Sequence, residues 1–416
     1  MKTITQVPVV IHKLLTERAD ELARETGFVR RKRVMTGSVF VQVLVFGWLQ
    51  YAQATQRQLH QVLLSTGTQI SCQGLNARFS AAAVAFLRAM VVEASQHVFS
   101  AKDNLLPALQ RFNGVYLTDG SRLERASGGF KVVVRLDLQR GGLQVGLETL
   151  ASHDRAGAVM GIPLPAGSLH VADLGFFDLT WFEQCIRQGV HFITRLRAGT
   201  QVYDLNGQRL DLAQLLAARR EPLKVQVLVG VRKIPMTLLA ERVGQDCARK
   251  REAQLQHTAR RKQRPISPER LKLLHWTIYV TSCTDLTVAQ THTLYRARWQ
   301  IERLFKRWKS LAKLTQSTSQ DPLRQACECY AKLLAVLLAH WLTQLTVWTS
   351  SRLSFDKAFL TLQHYATLLH LALVRDPPLL LWICAQLQQA ASTLTLSRRK
   401  SRPNTFDLLL NFDHLA

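Results

Sequence analysis

Residues 295–309 read Tyr295-Arg296-Ala297-Arg298-Trp299-Gln300-Ile301-Glu302-Arg303-Leu304-Phe305-Lys306-Arg307-Trp308-Lys309. Tyr295, Arg298, Glu302 and Lys309 follow one another at steps of three, four and seven. On a helix of about 3.6 residues per turn, those steps keep all four side chains on one face. The other face carries Leu294, Ile301, Leu304, Phe305, Trp308 and Leu311, an apolar stripe that can pack on a core. The spacing therefore predicts one helix that presents a single carboxylate among cations. Such a face is either an ordinary solvated surface with i,i+4 pairs or part of a site that handles a metal and a polyanion.

The rest of the composition favours the second reading. The chain has 416 residues, enough for two or three domains. It holds 54 Lys and Arg against 29 Asp and Glu, a formal net charge of +25. That excess is far more than solubility needs and points to a nucleic-acid partner. A membrane surface is the competing partner, but no basic amphipathic anchor stands out. The seven cysteines contain no CxxC pair, which argues against a disulfide framework or a zinc ribbon and fits a reducing compartment. No secretory leader is read at the N-terminus. The longest apolar run, Leu333 to Trp348, is interrupted by His340, Thr343 and Gln344 and reads as a buried helix. Thirteen histidines are scattered without HExxH spacing, and there is no P-loop or Rossmann glycine fingerprint, so no nucleotide cofactor is expected.

Along the chain, residues 1–105 read as helical. A basic knot, Arg30-Arg31-Lys32-Arg33, precedes an apolar helix from Val39 to Tyr51. Residues 55–62, a turn near Gly67 and a segment bearing Gln73, Asn76 and Arg78 resemble a helix-turn-helix; a plain helical bundle fits them equally well. From about residue 112 the texture is α/β. Val115-Tyr116-Leu117 is a strand expected to end at the turn Thr118-Asp119-Gly120-Ser121. Residues 130–138 and 143–150 form a hairpin around Gly141-Gly142. Leu169 to Ala172 is a strand ending at Asp173-Leu174-Gly175-Phe176, followed by a helix over 179–187 and a strand over 191–196. This order suggests an α/β core of the ribonuclease H type. Residues 201–239 alternate like strands of an inserted sheet, and 249–264 carry seven cations in either a solvated loop or a phosphate-binding arm. A strand at 276–281 leads into the opening helix. Residues 320–390 are helical and broken at Pro377-Pro378, and the tail with Arg398-Arg399-Lys400 reads as flexible.

Asp119 and Asp173 each follow an apolar strand, where side chains face the crevice at the rim of an α/β sheet. Glu302 comes from a helix that must pack back on that sheet. Three such carboxylates can bind two magnesium ions roughly 3.5–4 Å apart, the arrangement for phosphodiester chemistry. Each acid also has a plain structural reading, since Asp before Gly or Ser commonly caps a turn. Asp137, Asp154 and Asp178 are rivals, with Asp137 in the hairpin and Asp178 placed to cap the next helix.

These residues resemble the DDE transposases of bacterial insertion sequences, in the IS-four-like group. That group carries Tyr, two residues, Arg, three residues, Glu, six residues, Lys, and Tyr295, Arg298, Glu302 and Lys309 match all four positions. Its first acid lies in an Asp-Gly-Ser-like segment, here Asp119-Gly120-Ser121. Its second lies in an Asp-x-Gly-Phe segment, here Asp173-Leu174-Gly175-Phe176. The resemblance covers about residues 110–312. It implies a β-rich insertion between the second Asp and the Glu, metal ligation by Asp119, Asp173 and Glu302, and DNA-backbone contacts from Tyr295, Arg298 and Lys309. It further implies a DNA contact from Arg195 and base stacking by Trp276.

The expectation is a ribonuclease H-like catalytic core (106–199 and 271–345) interrupted by a β-rich insertion with a basic arm (200–270). A helical DNA-binding region precedes it (1–105), and a helical region at 346–416 serves dimerisation. The function expected is a cytoplasmic, nucleoid-associated bacterial transposase. It binds the double-stranded inverted-repeat ends, cleaves them with two magnesium ions, for which manganese can substitute, and joins the 3′ ends to target DNA. A homodimer on paired ends, a hairpin intermediate and no membrane are part of that expectation. The alternatives are a nuclease on the same core that does not join, or an inactive DNA-binding regulator.

Overall fold

The computed structural model describes residues 2–31, 34–101, 106, 109–125, 128–151, 158–217, 219–263, 265–347, 354–375, 377–391, 393–394 and 405–415. Asp154, Arg264, Arg398, Arg399, Lys400 and two members of the basic knot, Lys32 and Arg33, lie outside them.

The first hundred residues are helical. After the two-residue strand β1 (Lys2–Thr3) come α1 (Val7–Leu15), α2 (Glu17–Glu25), α3 (Gly37–Gln50), α4 (Gln56–Ser65), α5 (Cys72–Asn76) and α6 (Ala81–Ser95); β2 (Phe99–Ser100) pairs back in parallel on β1. The Thr36 hydroxyl accepts the Val39 N–H at 3.1 Å and starts α3, which is apolar all round and buried accordingly. A Cβ on Gly37 would lie 2.4 Å from the Ala23 Cβ and 2.6 Å from the Ala19 carbonyl oxygen, so α2 and α3 touch there backbone to backbone. Thr55 and Gln58 form a capping box on α4. The helix-turn-helix expectation fares poorly. α5 is only five residues long, contains Gly74, and ends before Arg78. The Asn76 side-chain oxygen already accepts from Arg324 at 3.1 Å.

A nine-stranded sheet forms the centre: β3 (Val115–Arg125), β4 (Gly128–Asp137), β5 (Leu143–Glu148), β6 (Leu169–Ala172), β7 (His191–Arg195), β8 (Val202–Tyr203), β9 (Leu223–Val229), β10 (Ile234–Arg242) and β11 (Trp276–Thr281). Their spatial order is β5-β4-β3-β6-β7-β11-β10-β9-β8. β3, β6 and β7 run parallel, and every other pairing in the sheet is antiparallel. The β4–β5 turn closes at Gly141, whose φ of 74° is open to glycine and costly for other residues.

Three features depart from expectation. β3 does not end at residues 118–121; it continues past Asp119 because β4 keeps pairing with it, Asp119 opposite Val134 and Ser121 opposite Val132, after β6 has left. The strands at 202–242 do not make a sheet of their own. They extend the main sheet, because β11 returns beside β7 and covers what would be an open edge. Residues 249–262 of the basic arm belong to a helix, α9.

The remaining helices of this half are α7 (Leu179–Arg187), α8 (Leu212–Ala217), α9 (Gln245–Lys262) and α10 (Pro268–Leu273). Asp178 caps α7, accepting the Thr180 and Trp181 N–H groups. α9 lies between Gly244 and Pro265, with neither glycine nor proline inside it and many Ala, Arg, Lys, Gln and Glu residues, all strong helix formers.

The signature segment forms two helices in tandem, α11 (Val288–Ala297) and α12 (Trp299–Ser310), with Arg298 between them. This differs from the single helix expected. Arg298 stays right-handed (φ −53°, ψ −28°), and the joint is tightened by i to i+3 bonds, Arg298 N–H to Tyr295 and Ile301 N–H to Arg298. α13 (Pro322–Val347), α14 (Phe355–Arg375), α15 (Pro377–Ala391) and α16 (Thr405–Leu410) complete the chain. The break expected at Pro377 is the first residue of α15, where proline loses no hydrogen bond.

α13 is the axis of the molecule: 89% of its apolar stretch is buried. It packs on α3, α6, α14 and α15, and two of its buried polar side chains anchor it to neighbouring segments. Lys332 pairs with Glu328 at 2.7 Å and donates to the carbonyls of Lys313 and Gln316. His340 donates to the Gly141 carbonyl at 2.9 Å, which ties the helix to the β4–β5 turn. One continuous apolar cluster joins α1–α6, one face of β3–β6 and α11–α15; a second lies beneath β7–β11 with α7 and α8. The end of the chain is not loose throughout: Leu409 and Phe412 are buried, and Thr287 at the start of α11 donates to the Leu415 carbonyl.

Candidate active site

Strand register places two acids side by side. The parallel β3–β6 ladder ends with Thr118 opposite Ala172, so Asp119 and Asp173 are each the next residue. Asp119 accepts the Gly120 N–H at 2.8 Å with Oδ1, and Asp173 caps a short 3-10 turn by accepting the Gly175 N–H at 2.9 Å. The capping role weighed against Asp173 is thus real, and it fixes the carboxylate at the strand end.

α12 packs on β3 and brings Glu302 to the same rim. Arg298 links the set: its Nη2 donates to Glu302 at 2.5 Å, and its Nη1 lies 3.9 Å from Asp119 Oδ2. Its guanidinium carbon stands 5.5 Å from the Tyr295 ring centroid. The break before Trp299 therefore leaves the face intact: Tyr295, Arg298 and Glu302 meet as their spacing requires. Lys309 lies half-buried, seven residues beyond Glu302 on the same helix.

Burial pushes the Asp119 carboxyl up to about 6, and the charges of Asp173 and Glu302 push the same way; the Gly120 N–H and Arg298 oppose them. Tyr295 is raised, chiefly by burial, while Arg298 and Arg195 act against it. Arg195 ends β7 opposite Tyr279 of β11, and the Tyr279 and Tyr295 rings lie 5.1 Å apart. Tyr279 in turn is held well above the ordinary phenol value by burial and the neighbouring tyrosine. Arg195 and the tyrosines thus flank the acids on the side towards β11.

The donor set fits a hard divalent cation in its chemistry: three carboxylates, one of them burdened by the charge of the other two. Their present arrangement is not a closed ligand cage. Among the described residues no three Asp, Glu, His or Cys groups converge closely enough to hold an ion, because Arg298 draws Glu302 and Asp119 to itself. The Arg298 Nε is buried without a hydrogen-bond partner, a donor left over for another acceptor.

The other candidates fall elsewhere. Trp276 is 6% exposed inside the second apolar cluster and offers no open face for a base. Gln73 is exposed and Arg78 half-buried, both around α5 and on a different element from the acids. Asp137 is buried in the hairpin turn, accepting the Gln139 and Arg140 N–H groups. Sequence reasoning missed Trp299, 57% exposed beside Arg298. Its signal was legible: it stands three residues before Glu302, off the apolar stripe.

Known transposases are similar to this chain. The transposase DDE domain family matches residues 118–338, more than half of the chain, from the residue before Asp119 to well past Glu302. Two relatives are transposases of insertion sequence elements IS231D and IS231E from Bacillus thuringiensis subsp. finitimus. They are 26% and 27% identical over 79% of this chain and 77% of their own length. The transposase of IS1151 from Clostridium perfringens is 24% identical over 77% of this chain and 76% of its own. With a nine-stranded α/β sheet carrying two acids at its rim and a third on the helix beside them, the chain belongs to the transposase DDE domain family, whose members cleave and transfer DNA strands with divalent metal ions.

Proposed function

We propose that the protein is a cut-and-paste transposase that cleaves the ends of its own element and joins their 3′ hydroxyls to target DNA. The observation that carries this is the adjacency of Asp119 and Asp173 after the last β3–β6 pair, with Glu302 tied to Asp119 through Arg298. The strand order β5-β4-β3-β6-β7 with α7 between β6 and β7 supports a ribonuclease H-like core, and β8–β11 with α8–α10 are its insertion, which then runs beyond residue 270, the limit expected from the sequence, to Thr281. Asp119, Asp173 and Glu302 would hold a pair of magnesium ions once Glu302 is freed from Arg298. Such ions, when bound, activate the attacking oxygen and stabilise the leaving one.

The chain's own groups then divide the work. Arg298, released from Glu302, offers its spare Nε and its fork to a phosphate beside the scissile bond. Lys309, Tyr295 and Arg195 hold the backbone on either side. Trp299 takes the stacking role that Trp276, being buried, cannot fill. The two ends of one element are held together by a homodimer in which the C-terminal helices take part, and the second strand is released through a hairpin. The protein works in the bacterial cytoplasm on double-stranded DNA.

The test separates chemistry from binding. Asp119→Ala, Asp173→Ala and Glu302→Ala are each expected to abolish nicking in magnesium while leaving duplex retention in a gel shift within a few-fold, because cations elsewhere supply most of the affinity. A variant that nicks at the wild-type rate removes that residue from the ligand set. Wild-type protein that cuts but yields no joined product turns the reading into a plain nuclease.

A further inference from the structure

We infer that α9, the basic helix of the insertion, is a second DNA reader that lies across a groove of the duplex, with its two ends on phosphates and its middle over base edges. The inference rests on the transposase reading of the chain and adds a contact surface to it.

Its starting point is how α9 is held. Ala248 and Leu255 are buried, and the half-buried Arg251 donates to the Leu274 and Trp276 carbonyls at 3.3 and 3.0 Å and to the Thr277 hydroxyl at 2.8 Å. One face is therefore clamped to the start of β11. Burial is the chief cause that lowers the Arg251 guanidinium, and the Arg195 charge is the next. The clamp thus lies close to the cation that flanks the acids.

The outward face is set by helical periodicity. Away from Ala248, Arg251 and Leu255 stand Arg249, Lys250, Ala253, His257, Arg260 and Arg261, all exposed. Gln254, also exposed, lies on the flank of that face, one turn before His257. The two basic pairs are eleven residues apart, about 16 Å along the axis at about 1.5 Å per residue. A B-form major groove is about 12 Å wide and admits a helix. Cations at that separation suit phosphates on its two sides, with Ala253, Gln254 and His257 between them. Ala253 is small enough to let the helix sink towards the bases, and its methyl can meet that of a thymine. Glutamine is a natural partner for an adenine edge.

Fold stability does not explain this face. Arg260 and Arg261 in the last turn gain from the helix dipole, but Arg249 and Lys250 near the first turn do not. Asp246 answers the dipole at the N-terminus, and its approach to Arg249 is a 4.0 Å contact between two exposed side chains, worth little. Six cations against two acids on one 18-residue helix need a polyanion to balance them. α9 also supplies what α5 lacks, since α5 has only five residues.

The experiment uses the full chain without divalent cation, so that no cleavage intrudes. One variant combines Arg249→Gln, Lys250→Gln, Arg260→Gln and Arg261→Gln; a second combines Gln254→Ala and His257→Ala. Arg251 is left intact because it anchors the helix, and thermal unfolding checks that both variants fold. On a random-sequence 30-base-pair duplex, the first variant should lower the slope of log affinity against log salt by up to about 3.6, four contacts at about 0.9 per phosphate. In selection from a randomised duplex pool, the second variant should bind random duplex as wild type does, yet lose enrichment by about 10-fold at two or three adjacent positions of the wild-type motif. An unchanged salt slope overturns the inference. A fallen slope with an unchanged motif overturns base reading and reduces α9 to a phosphate ridge. Wild-type protein that selects no motif at all overturns the transposon-end reading itself, which keeps the two failures apart.

Discussion

Asp119 shows what an acid site costs the residue that carries it. Its side chain is 16% exposed and faces two other acids, with the Arg298 guanidinium 3.9 Å away. Burial and those charges lift its carboxyl from 3.8 to about 6. A group whose folded value is raised is stabilising while protonated, below the unfolded value near 3.8, and that contribution is lost as pH rises through about 6. At pH 7 the ionised side chain therefore destabilises the fold by up to about 3 kcal/mol, since each tenfold change in proton affinity corresponds to about 1.36 kcal/mol. Asp119→Asn is expected to abolish nicking and to raise stability at pH 7 by about 1–3 kcal/mol. Denaturant unfolding of both proteins from pH 4 to 8 checks this. The gain should shrink as pH falls from 6 towards 4; a gain independent of pH, or a loss at pH 7, would show that the carboxylate is not strained by its neighbours.

Elements were legible where apolar residues ran together between turn signals. The strands β4, β5 and β11 and the buried helices α3 and α13 follow from such runs, bounded by Gly141-Gly142 and broken by few polar residues. The length of β3 was not legible: Gly120 and Ser121 carry turn chemistry, and only pairing with β4 keeps them extended. Nor was α9, whose charge run suggested a loop although its composition suits a helix. At the site, the four-residue signature gave Arg298 and Glu302 their contact, but the break between α11 and α12 is a matter of backbone packing that side-chain spacing does not encode. That break places Trp299 at the first position of α12, 57% exposed and beside the arginine. Trp299→Ala should leave the melting temperature unchanged and slow the steps after the first nick by about 10-fold, within the range of base-stacking losses on alanine substitution. Trp299→Phe should recover most of the rate. A time course resolving nicked, double-cut and joined DNA decides it; equal slowing of all steps, or no slowing, would assign Trp299 to the surface alone.

At the scale of the whole molecule, the N-terminal helices are built into the core that supports the site. Reading residues 1–105 as a separable end-binding region treats them as a module; the packing joins them to the rest. Leu14, Phe40, Trp48, Phe86 and Met90 belong to the same apolar cluster as Leu117 of β3, Ile301 of α12 and Leu333 of α13. α13 packs on both α3 and α6, and Gln344 donates to the Phe99 carbonyl at 3.3 Å. α12 is held from the other side, where Arg307 pairs with Asp356 of α14 and lies over the Phe355 ring. Removing residues 1–100 would expose the inner face of α13, an apolar helix that is otherwise enclosed, and each large side chain left without its partners costs about 1.5–3 kcal/mol. The sum exceeds the usual stability of a domain, about 5–15 kcal/mol. The truncated chain is therefore expected to be insoluble or to lose cooperative unfolding, rather than to keep nicking DNA with relaxed specificity. The full chain is expected to give one transition in which signals from Trp48 and Trp308 change together, followed with single-tryptophan variants. A soluble truncation that still nicks duplex DNA in magnesium would mean that the N-terminal helices are a detachable reader after all, and that the sheet, α12 and α13 form a self-sufficient core.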